Sequence, residues 1–388
     1  MHSPSRWIMA FLALAVHNPA FADSTVDYSV GMGRTSNIFQ DTTRLAATYG
    51  EAKLGLRGSF DLEGGQFAYG LSASARRVPA YSFADQRAAG VELGYSADLG
   101  KAVKLTLKGG VEHRRSGDVF LALPGALVGY RKADLAPTVS AGLAGAHNGG
   151  KSHVTISLSS LRRNKVRFTL PGVNPARLEA DNTLLDVTGG HIRPLLGGEI
   201  GATVQYRDNH VPFSQRQRYD RYPAQTLRGS LAYGRRFGET VTVMAELGLI
   251  HVASADLGSS VRRNRPFLKG EVIWQPRDGW KLIAKGVQET RLTDIDDPLG
   301  EYVRSYGVSV EKALTERLKA ALAYERADSE WLYYDYDTRT DSFAASLTMA
   351  IDRKNAVTLE YGRMVRRERN AAENFTVQSV SARLAGSF

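Results

Sequence analysis

Apolar and polar side chains alternate along almost the whole of this 388-residue chain. In the segment 53–62, for example, Leu54, Leu56, Phe60 and Leu62 are separated by charged, small or glycine residues. A period of two places successive side chains on opposite faces of a β-strand, so each such segment predicts a strand with one apolar and one polar face. The segments together predict about 18 strands, with about 16 as the alternative.

The connectors between these segments alternate in length. Short turns lie near residues 64, 100, 148, 196, 238, 277, 316 and 353. Between them lie longer polar connectors, which include Arg162–Leu178, Asp208–Gln225, Ala253–Asn264, Leu292–Glu301 and Ala327–Thr340. Short turns on one side and long loops on the other are typical of transmembrane β-barrels, whose turns face the periplasm and whose loops face outward.

Closure of the sheet follows from the hydrogen-bonding needs of the backbone. Beyond the N-terminal apolar run at 7–16, no stretch approaches the roughly 18 apolar residues of a membrane-spanning helix. Strands that cross hydrocarbon must pair every N–H and C=O group, and only a closed sheet has no unpaired edge. The sequence therefore predicts an all-β protein, a single antiparallel transmembrane β-barrel. About 18 strands also leave a water-filled lumen unless loops fill it.

The first residues have the pattern of an export signal. Arg6 precedes the apolar run Trp7–Val16, and Ala20-Phe21-Ala22 matches an A-x-A cleavage site. We expect residues 1–22 to be a secretory signal peptide and residues 23–388 to form the outer-membrane barrel. The chain has no cysteine, which fits an envelope protein that folds without disulfide bonds.

The charge of the chain suggests the kind of solute that the lumen meets. The formal net charge is +10, and export argues against nucleic acid, so anionic solutes, acidic polymers or lipopolysaccharide phosphates are the expected partners. These cations could line a conduit that prefers anions, or they could form a cross-strand ladder with carboxylates that sets the register. The alternation predicts lumen-lining positions for Arg57, Arg76, Lys104, Lys108, Arg207, Arg228, Arg236, Lys269, Lys281, Lys285, Lys319 and Arg383.

Two loops carry aspartates at suggestive spacings. Asp335, Asp337 and Asp341 resemble half of a calcium loop, but the glycine and the terminal glutamate of that loop are missing. Asp294, Asp296 and Asp297 invite the same comparison. We interpret both groups as solvated loop residues and predict no metal site and no cofactor.

Enzyme motifs are scarce. The chain has no G-x-S-x-G, no H-E-x-x-H and no P-loop, so we predict no catalytic residue and no enzyme activity. An outer-membrane hydrolase stays open as a third reading, which would require a His–Ser or His–Asp cluster at the outer rim. His113 and His251 fall at strand ends, where interfacial packing is the ordinary explanation.

Three short segments resemble known outer-membrane proteins. The closing strand, with Val380, Leu384 and Phe388 on its apolar face, resembles the C-terminal assembly signal of bacterial outer-membrane β-barrels. The opening segment Val30–Gln40, the arginine-rich segment Leu359–Asn370 and the same closing strand are similar to porin-type barrels associated with exopolysaccharide secretion. Arg34-Thr35-Ser36 stands where that family commonly has acidic residues.

The resemblance implies a function. A member of this family would be the outer-membrane exit for a secreted polysaccharide, with no catalytic residues. We therefore expect a porin-like channel in the bacterial outer membrane that passes exopolysaccharide or other hydrophilic, anionic solutes. The alternative is a non-conducting structural or assembly barrel whose loops bind a partner. The expected partners are outer-membrane lipid and lipopolysaccharide, the barrel-assembly machinery and a periplasmic polysaccharide-export component.

A closed membrane barrel should show heat-modifiable migration in detergent gels. Unheated protein should run as a compact species and boiled protein as an extended one, because the hydrogen-bonded ring resists detergent at low temperature. A chain recovered only from the periplasmic fraction, with no such shift, would contradict the predicted barrel.

Overall fold

The computed structural model describes residues 24–123, 126–147, 149–292, 297–369 and 374–388. The predicted signal peptide, Asp294 and Asp296 lie outside these residues. Within the described chain, no helix has the length and apolar character needed to cross a membrane.

The described chain is almost entirely β-structure. Its strands are β1 Thr25–Thr35, β2 Ala47–Leu62, β3 Gly65–Arg77, β4 Gln86–Asp98, β5 Val103–Leu123, β6 Ala126–His147, β7 Gly150–Arg163, β8 Arg167–Phe168, β9 Asn182–Leu195, β10 Gly198–His210, β11 Ala224–Phe237, β12 Val241–Ser254, β13 Gly258–Trp274, β14 Trp280–Arg291, β15 Glu301–Ala313, β16 Leu318–Trp331, β17 Asp337–Ala350, β18 Asn355–Glu368 and β19 Phe375–Ser387. The helical pieces are short: Ser82–Ala84, Phe213–Arg216 and Gln217–Tyr219.

All the strands except the two-residue β8 form one closed antiparallel ring. Each strand pairs with its neighbours in the sequence, β7 pairs with β9 across the β8 loop, and β19 returns to pair with β1. The predicted all-β, 18-strand antiparallel barrel is therefore confirmed.

The seam between the first and last strands closes the ring. β1 and β19 pair from Asp27–Ser387 to Thr35–Ser379. At the turn end, Val26 and Phe388 exchange both backbone hydrogen bonds, at 2.9 and 3.0 Å. Because hydrocarbon offers no alternative partner for N–H and C=O groups, this pairing removes the two edges that an open sheet would expose.

The connectors differ in part from the prediction. The eight predicted short turns all join neighbouring strands, which places them at one end of the barrel together with residues 24 and 388. The predicted loop Ala253–Asn264 is wrong, because β12 continues to Ser254 and β13 begins at Gly258. The long strands of the β5–β6 hairpin also extend through 113–138, where the sequence shows no regular alternation. Strands that continue beyond the membrane have water on both faces, so their two faces do not need to differ.

The barrel departs from a cylinder at its loop end. β13 and β14 pair only from Leu268–Gln288 to Trp274–Leu282, although both strands continue further outward. Beyond that point, Tyr302 of β15 packs in one buried cluster with Phe267 and Ile250. Phe267 and Ile250 alternate with the exposed Leu268 and Leu249, so they face the lumen. The outer end of β15 is therefore packed against the inner wall of β12 and β13.

The seam can be tested by disulfide formation, since the chain has no native cysteine. Ser29 and Ala385 are direct partners across β1 and β19. We expect the variant S29C/A385C to form a disulfide on oxidation and to migrate as a circularised chain in non-reducing gels after boiling. The variant S29C/S381C is the matched control, because Ser381 pairs with Gly33 instead. Equal cross-linking of the two variants would contradict this register.

Candidate conduit through the barrel

The inner wall of β2–β6 carries glycines between its charged side chains. Arg57 pairs with Gly70, Gly70 with Glu92, and Glu92 with Gly110. These residues, with Gly55, Gly90 and Glu112, line a cavity of about 420 Å³. A glycine on the inner face has no side chain to fill the lumen, so this wall leaves open space at mid-height.

A larger cavity lies above this space, at the loop end. Its volume is about 920 Å³. Cations on the strands and loops outnumber the carboxylates in its lining. The cations that line it are Lys53, Arg76, Arg87, Arg114, Arg115, Lys132, Arg163 and Arg221, and the carboxylates are Glu51, Asp134, Glu179 and Asp220.

A third cavity, of about 480 Å³, lies at the turn end. It is lined by Gly64, Gly65, Gln66, Ser96, Ala97, Asp98 and Lys104. Arg114 is shared by the two upper cavities, and all three cavities follow the strands β2–β6. The open part of the lumen therefore runs along this side of the barrel.

The opposite side of the mouth is filled by three loop segments, 211–223, 297–300 and 332–336, which we call the inner lobe. Leu299 and Leu332 of the lobe are buried against Ile250, Val252 and Phe267 on the inner wall. Burying side chains of this size stabilises the packing by about 1.5–3 kcal/mol each. The lobe is thus packed on β12 and β13, and the open part of the lumen is left on the other side.

A single buried carboxylate holds two segments of the lobe together. Asp297 is fully buried and accepts hydrogen bonds from the backbone N–H groups of Leu299, Gly300, Tyr333 and Tyr334, at 2.9–3.2 Å. A carboxylate with several amide donors can be buried without a counter-charge. Asp297 is therefore a structural residue, and the interpretation of it as a solvated loop residue is wrong, because its carboxylate is fully buried among backbone amides.

Further hydrogen bonds join the segment 211–223 to the other two segments of the inner lobe. The Arg221 guanidinium donates to the carbonyl oxygens of Asp297 and Leu292, and the Tyr222 N–H donates to the Pro298 carbonyl at 3.0 Å. The Tyr334 hydroxyl donates to the Asp220 carboxylate, and this bond raises the pKa of Tyr334 to about 12.

The outer cavity has its own charge network on the strand side. Arg163 Nη1 lies 2.7 Å from Asp134, and Arg163 Nε lies 2.9 Å from Glu179, which also contacts Lys132 at 3.4 Å. The Arg76 guanidinium lies over the Tyr49 ring, 3.7 Å from its centroid. Two of the four carboxylates are thus engaged with Arg163 and Lys132, while no carboxylate among the described residues forms an ion pair with Lys53 or Arg76.

The structure places the predicted lumen-lining cations in several environments. Arg57, Arg76 and Lys104 line the three cavities. Three of the cations form ion pairs, Arg57 with Asp27, Arg207 with Asp186 and Lys285 with Glu325. The remaining environments are as follows: Arg228 over the Phe267 ring, Arg236 bonded to the Glu239 carbonyl, and Lys108, Lys269, Lys281, Lys319 and Arg383 paired by backbone register with Ser140, Glu246, Glu311, Ala313 and Thr358. Contact of any of them with a solute stays a prediction.

The C-terminal residues lie on the exposed outer face of β19. Val380, Leu384 and Phe388 expose 59%, 37% and 51% of their surface. This is the face that meets lipid if the barrel is in a membrane. A role in recognition by assembly machinery stays a prediction.

The other candidate residues form ordinary structural contacts. Arg369 forms ion pairs with Asp335 and Asp337, and Arg367 forms one with Asp341. Among the described residues, no group of three metal-ligating side chains converges.

The described histidine contacts do not form the cluster that the hydrolase reading requires. Ser152 Oγ lies 2.9 Å from His191 Nδ1, at the turn end of the barrel rather than at its outer rim. His251 Nδ1 contacts Asn264 Oδ1 at 2.8 Å.

Several residues of the outer cavity were missed from the sequence. Arg114, Lys132 and Asp134 lie in the part of β5 and β6 that showed no regular alternation, so no face could be assigned to them. Arg221 lies in the loop segment 211–223, and the sequence of a loop does not indicate whether the loop folds into the lumen. Lys53 carried a usable signal, because it alternates with Leu54 and Leu56.

Comparisons with known proteins show the fold. No family model and no curated protein matches the chain. The solved ferric citrate transporter FecA is similar with a TM-score of 0.55 at 12% identity, over 89% of this chain and 60% of that one. The copper transporter OprC is similar with a TM-score of 0.55 at 8% identity, over 94% of this chain and 80% of OprC. OccAB4 of Acinetobacter baumannii is similar with a TM-score of 0.50 at 11% identity, over 96% of this chain and 100% of OccAB4.

These similarities are structural, since the identities are low. The chain spans 60% of the length of the ferric citrate transporter and the whole length of OccAB4. They show that the chain has the barrel fold of Gram-negative outer-membrane channels and transporters. A fold shared with transporters and porins supports a non-enzymatic role only at the level of architecture.

Removal of the Asp297 carboxylate should loosen the inner lobe and leave the barrel intact. In D297A, four backbone N–H groups lose their acceptor, and each buried orphan costs about 1–3 kcal/mol. We expect faster trypsin cleavage in 211–223, which contains Arg216, Arg218 and Arg221, with unchanged heat-modifiable migration.

A matched control for this substitution exists at the turn end. Asp352 also accepts two backbone N–H bonds, from Lys354 and Asn355, at 2.7 and 2.8 Å. D352A should leave cleavage of the loop segment at the wild-type rate. Equal cleavage rates in D297A and the wild type would show that Asp297 does not hold the lobe.

Proposed function

We propose that this protein is a passive outer-membrane channel for hydrophilic anionic solutes. The observation that carries the proposal is the outer cavity, where cations outnumber carboxylates beside the inner lobe. Positive potential in a narrow opening with low-dielectric walls concentrates anions and speeds their entry. The glycine-lined middle cavity and the turn-end cavity continue the opening along the same strands.

We propose acidic exported polysaccharide as one solute class within this function. The support is the resemblance of segments 30–40 and 359–370 to barrels associated with exopolysaccharide secretion, together with the basic cavity. Hydroxyl-rich, carboxylate-bearing sugars would meet arginine and lysine donors at the mouth, and arginine binds carboxylates in a two-pronged geometry.

A second function, a barrel that does not conduct, is favoured by one observation. The inner lobe is packed on the wall by buried Leu299 and Leu332 and held by Asp297, so it is built as a stable part of the mouth. A lobe of this kind narrows the lumen, and a partner seated on it would close the lumen fully.

Ion selectivity in planar bilayers tests the channel. The wild type should be anion-selective in a salt gradient, and R76E/R114E should shift the reversal potential toward cation selectivity, since both residues line the outer cavity. The control R317E/R353E removes the same charge from two short turns at the other end. Galacturonic acid oligomers added to the loop side should block the wild-type current more strongly than neutral oligomers of equal length.

Each outcome has a distinct meaning. An unchanged reversal potential in R76E/R114E would remove the outer cavity as the selectivity site. An absence of current at either polarity would overturn the channel and favour the non-conducting barrel. Equal block by acidic and neutral oligomers would remove acidic polysaccharide as the solute class.

A further inference from the structure

The outer face of β2–β6 has a shallow apolar groove. Its volume is about 400 Å³, and small residues form part of its lining, among them Ala73, Ala89 and Gly90. The larger apolar residues around them are Leu54, Leu56, Leu71, Val91, Val111 and Leu135. The register confirms that these side chains form neighbouring cross-strand rows, for example Ala73 opposite Ala89. A groove of this shape on a lipid-facing wall suits an acyl chain.

Two arginines lie directly above this groove. Arg87 of β4 is two residues from Ala89, on the same face, and its register partner on β5 is Arg115. Like charges directly opposite each other in an antiparallel pair destabilise the sheet. Both side chains are exposed, and neither has a hydrogen bond or ion pair to any residue that the structure describes.

Neighbouring exposed arginines differ in this respect. Arg131 donates to the Ser82 carbonyl at 2.7 Å, and Arg77 and Arg162 each lie 3.9 Å from a carboxylate, that of Asp85 or Asp181. The protein thus supplies partners for the arginines around the pair and supplies none for the pair itself. An external anion would remove the repulsion between them.

Arg87 and Arg115 lie at the level along the barrel axis where lipid headgroups are expected. Arg87 lies eleven residues from Asp98, the last residue of β4 at the turn end. Eleven strand residues at about 3.3 Å each, tilted by about 40°, rise about 28 Å, just above the apolar band of such barrels, which is about 25 Å tall. The pair therefore lies at the upper boundary of that band, on the side of the long loops.

We propose that Arg87 and Arg115, with the groove beneath them, form a binding site for one lipopolysaccharide molecule of the outer leaflet. A lipid A phosphate lies between the two guanidinium groups, and one acyl chain occupies the groove. Arginine suits this role because its planar fork binds phosphate oxygens in pairs. The loop side of a Gram-negative outer membrane faces the lipopolysaccharide leaflet, which selects this lipid over the phospholipids of the inner leaflet. By register both arginines belong to the outward-facing rows of β4 and β5, and they also border the outer cavity of the lumen.

Native mass spectrometry of the detergent-purified full chain tests this site. The probes are purified lipid A, the same lipid A after enzymatic dephosphorylation, and phosphatidylglycerol. The wild type should retain one lipid A molecule with clear preference over the two other lipids. R87S/R115S should bind lipid A about tenfold more weakly or worse, which corresponds to about 1.4 kcal/mol or more.

Matched variants separate the site from general basic charge. R34S/R363S removes two other exposed arginines, which lie on β1 and β18 away from the groove, and should bind lipid A as the wild type does. A89L keeps both arginines but fills the groove, so it should weaken lipid A binding while leaving binding of inorganic pyrophosphate unchanged. Heat-modifiable migration of each variant shows that the barrel has folded.

Three results would overturn the site. They are wild-type affinity for lipid A in R87S/R115S, equal loss in R34S/R363S, and equal binding of dephosphorylated lipid A by the wild type. Loss in R87S/R115S with wild-type binding in A89L would leave the phosphate contact and remove the acyl groove from the proposal.

Discussion

The need to pair every backbone N–H and C=O group in hydrocarbon is the constraint on which this structure depends. An unpaired group there costs several kcal/mol, so a sheet crossing the membrane must close on itself. The β1–β19 seam, which ends with the two hydrogen bonds between Val26 and Phe388, meets that need. Once the ring is closed, its two surfaces can differ: one meets lipid and the other encloses a lumen.

The closed ring then leaves a lumen that the loops divide unequally. The inner lobe packs on β12 and β13 through apolar side chains, and Asp297 joins two of its segments through backbone amides. On the inner wall of β2–β6 glycines alternate with charges. The loops on this side form a smaller buried cluster around Ala47, Val78 and Ala84, at the outer end of β2 and β3. The apolar inner faces of β12 and β13 thus position the inner lobe, and the open part of the lumen follows β2–β6.

The outer and inner faces of the same strands carry separate candidate sites. On β4 and β5, Glu92 and Arg114 face the lumen, while Arg87 and Arg115 belong to the lipid-facing rows. Because the side-chain period of a strand is two, adjacent residues serve different surroundings. The solute-facing charge and the proposed lipid site can therefore be altered by substitution without changing the same residues.

The sequence alone determined the fold class, the strand number and the eight short turns, because lipid on one side and water on the other impose the alternation that defines a strand. It also identified Arg57, Arg76 and Lys104, whose apolar neighbours mark the inner face. It failed for Arg114, Lys132 and Asp134, since strand segments with water on both sides lose that alternation. Only the tertiary structure decided that 211–223 folds inward, that Asp297 is buried, and that Arg87 faces Arg115. Those facts depend on register and on packing between loops far apart in the chain, which a local pattern of side chains does not contain.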